Sequence, residues 1–112
     1  MINKDDLLNK AKPKTCIVWA PTLGDDVKVK MFTKRDIDEM RAESMVAGEL
    51  NEQKFQRLMV TRGCVDPALS DAEYDELETG SVSVYLGILN AIMEGNGLTA
   101  LAQRETRKSF QA

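Results

Sequence analysis

Two cysteines, Cys16 and Cys64, and a run of carboxylates are the side chains with the most chemical potential, and both groups lack the partners that chemistry needs. The sequence contains no histidine, so the usual base near neutral pH and the commonest metal ligand are both missing. Cys16 and Cys64 lie far apart, belong to no Cys-x-x-Cys pair or zinc spacing, and have no imidazole to draw off a proton. They are expected to act as small buried apolar side chains. Gly95-Asn96-Gly97 has the look of a phosphate loop, yet it follows a helical pattern instead of joining a strand to a helix N-terminus, and no Gly-Lys-Ser/Thr completes it. A helix C-cap is the expectation there. Between Val65 and Thr79 stand Asp66, Asp71, Glu73, Asp75, Glu76 and Glu78 without one Lys or Arg. Their order is not that of a calcium loop. A solvated helix face explains most of the run, and docking onto a basic segment is the alternative. No enzymatic activity, cofactor or metal is expected.

The elements that would position any binding residues must come from a short chain. Its 112 residues suit one domain, with a core that needs no disulfide or metal. Fifteen basic and 18 acidic residues leave a net charge of −3, which offers phosphate backbones no bulk attraction, so nucleic acid is not expected as a partner. No apolar run approaches the roughly 20 residues of a membrane helix, because Asn90 and Glu94 interrupt the greasiest stretch. The polar opening MINKDDLLNK differs from a signal peptide, and with unpaired cysteines it points to a reducing cytoplasm.

Leu7, Leu8 and Ala11 recur at helical spacing over residues 5–11, before Pro13 blocks continuation. Residues 15–19 are β-branched and aromatic, and Val27 to Met31 alternate apolar with charged, with turn residues between them. This predicts a β-hairpin over about 15–31 whose apolar face, Trp19 with Val27, Val29 and Met31, lies against helices or a partner. Thr33 and Asp36 form a capping box, with Phe32 and Ile37 as its hydrophobic staple. The helix they open continues its buried side through Met40 and Met45 and stops at Gly48. Asn51 caps the next, in which Phe55, Leu58 and Met59 form a stripe ending at Gly63. Ser70 with Glu73, and Leu69 with Tyr74, repeat the starting device, and Gly80 ends that short element. Ser81 caps a last long helix that reaches Glu94 and stops at Gly95 or Gly97. Leu98 and Leu101 could add a turn, whereas residues 103–112 are polar and basic and are expected to be a flexible tail. The fold class is α+β, mostly α: an N-terminal hairpin packed on a small bundle of four to five helices, in one domain over 1–102 with its helical body over 33–102.

In the last helix only Ser83, Gly87, Asn90 and Glu94 break an otherwise apolar girth. Such a helix belongs in the middle of a bundle or against another chain. Leu86, Leu89, Ile92 and Met93, with Phe55 and Leu58, are therefore the candidate residues for a client or self-association groove, and plain core burial is the competing reading. The methionines at 31, 40, 45, 59 and 93 are core filler on the ordinary reading, and their flexible thioethers would also suit an adaptable groove.

Three features together resemble a known family. MINKDDLLNKAKPK leads to a Trp-containing strand, a Gly-Asp turn, and Val27 to Asp36 opening a helix rich in Asp, Glu, Met and Arg. Arg62 to Tyr74 then carries a Val-Asp-Pro-x-Leu step before a short acidic helix, and a Leu- and Ile-rich helix ending in Gly follows. This order resembles the tail assembly chaperones of long-tailed bacteriophages, over nearly the whole chain. The resemblance implies a protein of the host cytoplasm that acts during virion assembly and is absent from the finished particle. Members bind the helical tape-measure protein and help tail-tube subunits gather around it, and many also have a longer, frameshifted product. A tail-completion or head-tail connector component of the virion is the alternative, and a small transcriptional or anti-host regulator that binds protein or DNA is a third, with the acidic balance weighing against DNA.

Overall fold

Thr33 and Ser70 each begin a helix by accepting a backbone N–H with the hydroxyl, while a carboxylate three residues on accepts the N–H of the cap itself. Thr33 Oγ1 takes the Asp36 N–H at 3.0 Å and Asp36 takes the Thr33 N–H at 3.0 Å. Ser70 and Glu73 repeat the exchange at 3.2 and 3.0 Å. Two orphan donors are satisfied at each start, which is why these boundaries fall where the capping boxes lie. The computed structural model describes residues 1–12 and 14–98. In chain order the elements are α1 (Lys4–Lys10), β1 (Thr15–Ala20), β2 (Asp25–Lys30), α2 (Lys34–Glu43), β3 (Met45–Val46), β4 (Glu49–Leu50), α3 (Glu52–Gly63), β5 (Cys64–Asp66), α4 (Asp71–Glu78) and α5 (Val82–Gly95). The fold is α+β and mostly α, with a small antiparallel sheet made of a β-hairpin and one further strand.

The sheet order is β1-β2-β5. In β1 and β2, Val18 faces Val27 and Cys16 faces Val29, so these four share the inner face with Ala20. Trp19 pairs with Asp26 and is 57% exposed, on the opposite face. The expectation that Trp19 lies on the packed face is thus corrected: the side-chain period of two sends it outward with Ile17. Strand β5 is an addition that the sequence reading had not anticipated. It follows α3 directly, with Cys64 extended at the C-cap, and pairs Asp66 with Lys28 and Cys64 with Val29 around a bulge.

Helix α5 lies on the inner face of β1 and β2. Helix α3 packs on α5 and the sheet, α2 on α3, and α4 on both α3 and α5. The approach of α5 is close because two of its residues have no side chain. A Cβ on Gly95 would stand 2.5 Å from Val29 and 3.0 Å from the Cys16 sulfur, and one on Gly87 would meet Thr22 and Leu23 at 3.3–3.4 Å. Beyond Gly95 the helix closes with a Schellman motif. Gly97 has a φ of +69°, its N–H reaches the Glu94 carbonyl at 3.1 Å, and the Leu98 N–H reaches Met93 at 2.8 Å. Gly97, not Gly95, is therefore the stop. Asn96, at the C-cap, accepts the Phe32 N–H at 2.6 Å and donates to the Lys30 carbonyl at 3.0 Å, tying the end of α5 to the exit of β2.

Two further expectations are corrected. Helix α2 ends at Glu43, and Met45 is 46% exposed in the two-strand ribbon β3–β4 instead of on the helix. Ala47 and Gly48 have φ values of +53° and +81°, the two positive values of a type I′ turn, so Gly48 turns a hairpin and does not cap α2. Ser81 holds the N-cap position of α5 without a side-chain cap bond; its hydroxyl meets that of Ser83 at 2.9 Å. The expected tail at 103–112 and the turn through Leu101 lie outside the described residues.

Replacing Gly95 with Ala forces Val29 and Cys16 to move and should lower unfolding stability by about 1–3 kcal/mol in urea titration. A second expectation concerns acid. The Thr33 and Ser70 N–H groups hold the carboxyls of Asp36 and Glu73 below their ordinary values of 3.8 and 4.5. A carboxylate with a depressed folded-state value contributes stability that is present above the ordinary value and is lost as pH falls through the lowered one. The melting temperature should therefore drop on acidification from about pH 5 to about pH 2, and Glu73→Gln should make that drop shallower.

Candidate functional site

The six candidate residues divide by depth. Ile92 is fully buried and Leu89 is 7% exposed, so both belong to the core. Ile92 lies against Gly63, where a Cβ would stand 2.8 Å from it. Neither presents itself to a partner, because the flank of α5 that carries them is covered by α3 and the sheet. Phe55, Leu58 and Met93 are half-buried and pack against the core from its edge. Leu86, by contrast, is 45% exposed. Val82 and Val84, in the same helix, are also open to solvent, so the first half of α5 shows apolar surface where its second half is sealed. The break in burial comes at Gly87, where the hairpin turn begins to cover the helix.

Two depressions flank the corner between α4 and α5. One, of about 370 Å³, is lined by Leu69, Leu77 and Val84, with Glu73 and Glu76 at its border and Gly80 and Ser81 at its end. The other, of about 230 Å³, is lined by Gln53, Gln56, Tyr74, Glu78, Val82 and Tyr85 around the same Gly80. Its floor is a hydrogen-bonded chain. The Tyr85 hydroxyl donates to Gln56 Oε1 at 3.0 Å, so the 2.9 Å contact between the two tyrosine hydroxyls is donated by Tyr74. The rings meet edge to face at 6.0 Å, and the Arg57 guanidinium lies over the Tyr74 ring at 4.9 Å while reaching Asp75 at 2.8 Å. Burial, with the bond to Tyr85, pushes the Tyr74 hydroxyl above its ordinary value. It stays protonated at neutral pH and serves as a donor that fixes α4 against α5.

The acids divide similarly. Asp71 and Asp75 are engaged by Arg57. Glu73 caps α4, and its side chain also borders the larger depression with Glu76. The border is negative and the floor apolar. Leu69 had been read only as a staple residue; that it lines an open groove with Leu77 depends on the angle between α4 and α5, which no local pattern encodes. Tyr85 was recognisable as apolar girth, but its pairing with Tyr74 and Gln56 was not.

Among the described residues, no group of three or more His, Cys, Asp or Glu side chains is placed to hold a metal ion, and no helix is long and apolar enough to cross a membrane. Cys16 and Cys64 are both unbonded thiols. Neither a protein-family model, nor a curated protein, nor a solved structure matches this chain.

Burial pushes the Cys64 thiol up to about 11. Thiolate is the reactive form, so iodoacetamide at about pH 8 should leave Cys64 unmodified in the native protein and alkylate it in denaturant, as peptide mass spectrometry would show.

Proposed function

We propose that this protein is a non-catalytic phage tail assembly chaperone of the host cytoplasm, which covers apolar helices of the tape-measure protein while tail-tube subunits are recruited. The observation that carries the reading is the open apolar surface of Val82 and Leu86, one turn apart on α5, with Val84 exposed on another side of the helix in the acid-bordered groove against α4. A structural protein with no client would gain stability by burying those side chains, at roughly 25 cal/mol per Å² of apolar area. Leaving them exposed on a helix whose other half is sealed suits a surface that is covered in a complex.

The complementary client is an amphipathic helix with an apolar stripe flanked by Lys or Arg. The stripe would lie along Val82 and Leu86, one turn apart on α5, beside the depression that Val82 lines with Tyr85, with a cation at Glu78. Nearby Phe55, Leu58 and Met93, half-buried at the core margin, would adjust as the groove fills. Resemblance in the order of the hairpin, the Val-Asp-Pro-x-Leu step and the apolar helix supports naming the tape-measure protein as that client. Leu89 and Ile92 are assigned to the core that supports the surface.

Co-expression with the tape-measure protein followed by affinity capture tests this. Leu86→Asp should keep the wild-type circular dichroism and melting profile yet lose capture roughly tenfold or more, since a central apolar anchor is worth upwards of about 1.4 kcal/mol. Leu89→Asp should instead unfold the chain. Capture of the tape-measure protein by Leu86→Asp at the wild-type level would refute the assignment.

A further inference from the structure

Strand β1 ends the sheet. Its partner is β2 on one side, and among the described residues no strand pairs with the other. The ladder shows which backbone groups are left. The Met31 N–H donates to the Lys14 carbonyl at 2.8 Å, and the antiparallel register runs from Thr15 opposite Lys30 to Ala20 opposite Asp25. Hydrogen-bonded and non-bonded pairs alternate along such a ladder, so Cys16, Val18 and Ala20 turn their N–H and C=O groups toward β2. Thr15, Ile17 and Trp19 therefore direct theirs to the open edge.

The edge lacks the devices that usually keep such a strand solitary. From Thr15 to Ala20 there is no charged residue, no proline and no bulge. Its outward side chains include Ile17 at 70% exposure and Trp19 at 57%, which together form an apolar patch on the face of the sheet away from α5. The outward-bonding residues are also symmetric about Ile17. A second β1 laid antiparallel, with a two-fold axis at Ile17, would place Ile17 opposite Ile17 of the second copy and Thr15 opposite its Trp19. All three pairs are of the bonding kind, giving about six backbone hydrogen bonds. The isologous arrangement closes on itself by using the β1 edge of both copies, and leaves only the three-residue strand β5 at each end of the sheet.

We propose that the protein forms a two-fold dimer by pairing β1 with β1 of a second copy, extending the three-stranded sheet to six strands. The absence of charge along the strand admits a second copy without like-charge repulsion. The two Ile17 side chains meet at the axis, about 5 Å apart at Cβ, with each Trp19 diagonal to the opposing Ile17. This surface is separate from the α4–α5 groove, so the dimer stands or falls independently of the client assignment.

Sedimentation of the full chain across micromolar to millimolar concentrations should reveal a monomer–dimer equilibrium. Ile17→Lys sets two ammonium groups face to face at the axis and should weaken dimerisation roughly tenfold or more, whereas Ile17→Val should keep it. Ile17 is so exposed that the Lys variant should melt as the wild type does; if it unfolds instead, Thr15→Lys, on the same edge, takes its place. Amide hydrogen exchange supplies a readout that a loose apolar contact would not move: the Ile17 and Trp19 N–H groups should become protected as concentration rises. A wild-type chain that stays monomeric throughout, a dimer indifferent to the lysine, or a dimer whose Ile17 and Trp19 amides exchange freely would each overturn the proposal.

Discussion

The close seat of α5 on the hairpin is the constraint on which the other elements depend. Three short strands cannot hold together in water unless one face is covered, and α5 covers it at a distance that only glycine permits at residue 95. With Val29 and Ile92 both fully buried, the sheet and the helix share one interior with no room for a larger residue between them. Asn96 then does with one amide what a further strand residue would do: it accepts from Phe32 and donates to Lys30 just where β2 leaves the sheet. A buried margin that would leave two backbone groups unsatisfied is thereby closed. Thr33, the N-cap of α2, is the residue after Phe32, so the single Asn96 side chain anchors the backbone just before the helical body begins.

Helix α3 is held by a similar economy of space. Gly63 lets Ile92 reach its last turn, and the chain then becomes strand β5 without an intervening loop. The bidentate contact from Arg62 to Glu43, at 2.6 and 3.0 Å, joins the ends of α3 and α2, and the Arg62 bond holds the Glu43 carboxyl below its ordinary range. Both groups are about half exposed, and exposed pairs contribute little to stability. The pair selects a relative orientation for two helices whose attachment comes from Met40, Met59 and Val60 beneath it.

How legible these features were in the sequence depended on the range of the interaction that makes them. Both capping boxes act within four residues, and the helix starts at Thr33 and Ser70 could be read directly. The hairpin was equally plain from the alternation of Val27 and Val29 with Lys28 and Lys30. Strand β5 was missed because Cys64-Val65-Asp66 is too short to display a period, and it becomes a strand only because β2 offers it an edge. The ribbon at Met45–Leu50 was read as the end of a helix, since the positive φ of Ala47 is not something alanine advertises. For the candidate surface, the apolar girth of α5 singled out this helix. It could not say which half was covered, because that is decided by the hairpin turn and α3 arriving from distant sequence.

That division along α5 bears on how one small chain could have two binding surfaces without losing its fold. The second half of the helix, from Gly87 onward, is committed to β1, β2 and α3, and the core rests there. The first half contacts α4, whose position is set by the buried Tyr74 ring together with the Tyr74–Tyr85–Gln56 chain and Arg57. Contacts of this kind are directional, so they hold the corner between α4 and α5 in one arrangement above the core while the apolar side chains at the start of α5 stay uncovered. The open edge of β1, for its part, exposes backbone groups already fixed in extended form by β2. Little conformational entropy would remain to be lost when a second strand docks there. Both surfaces therefore borrow rigidity from the same core without contributing to it, which is why apolar side chains can stand exposed at each.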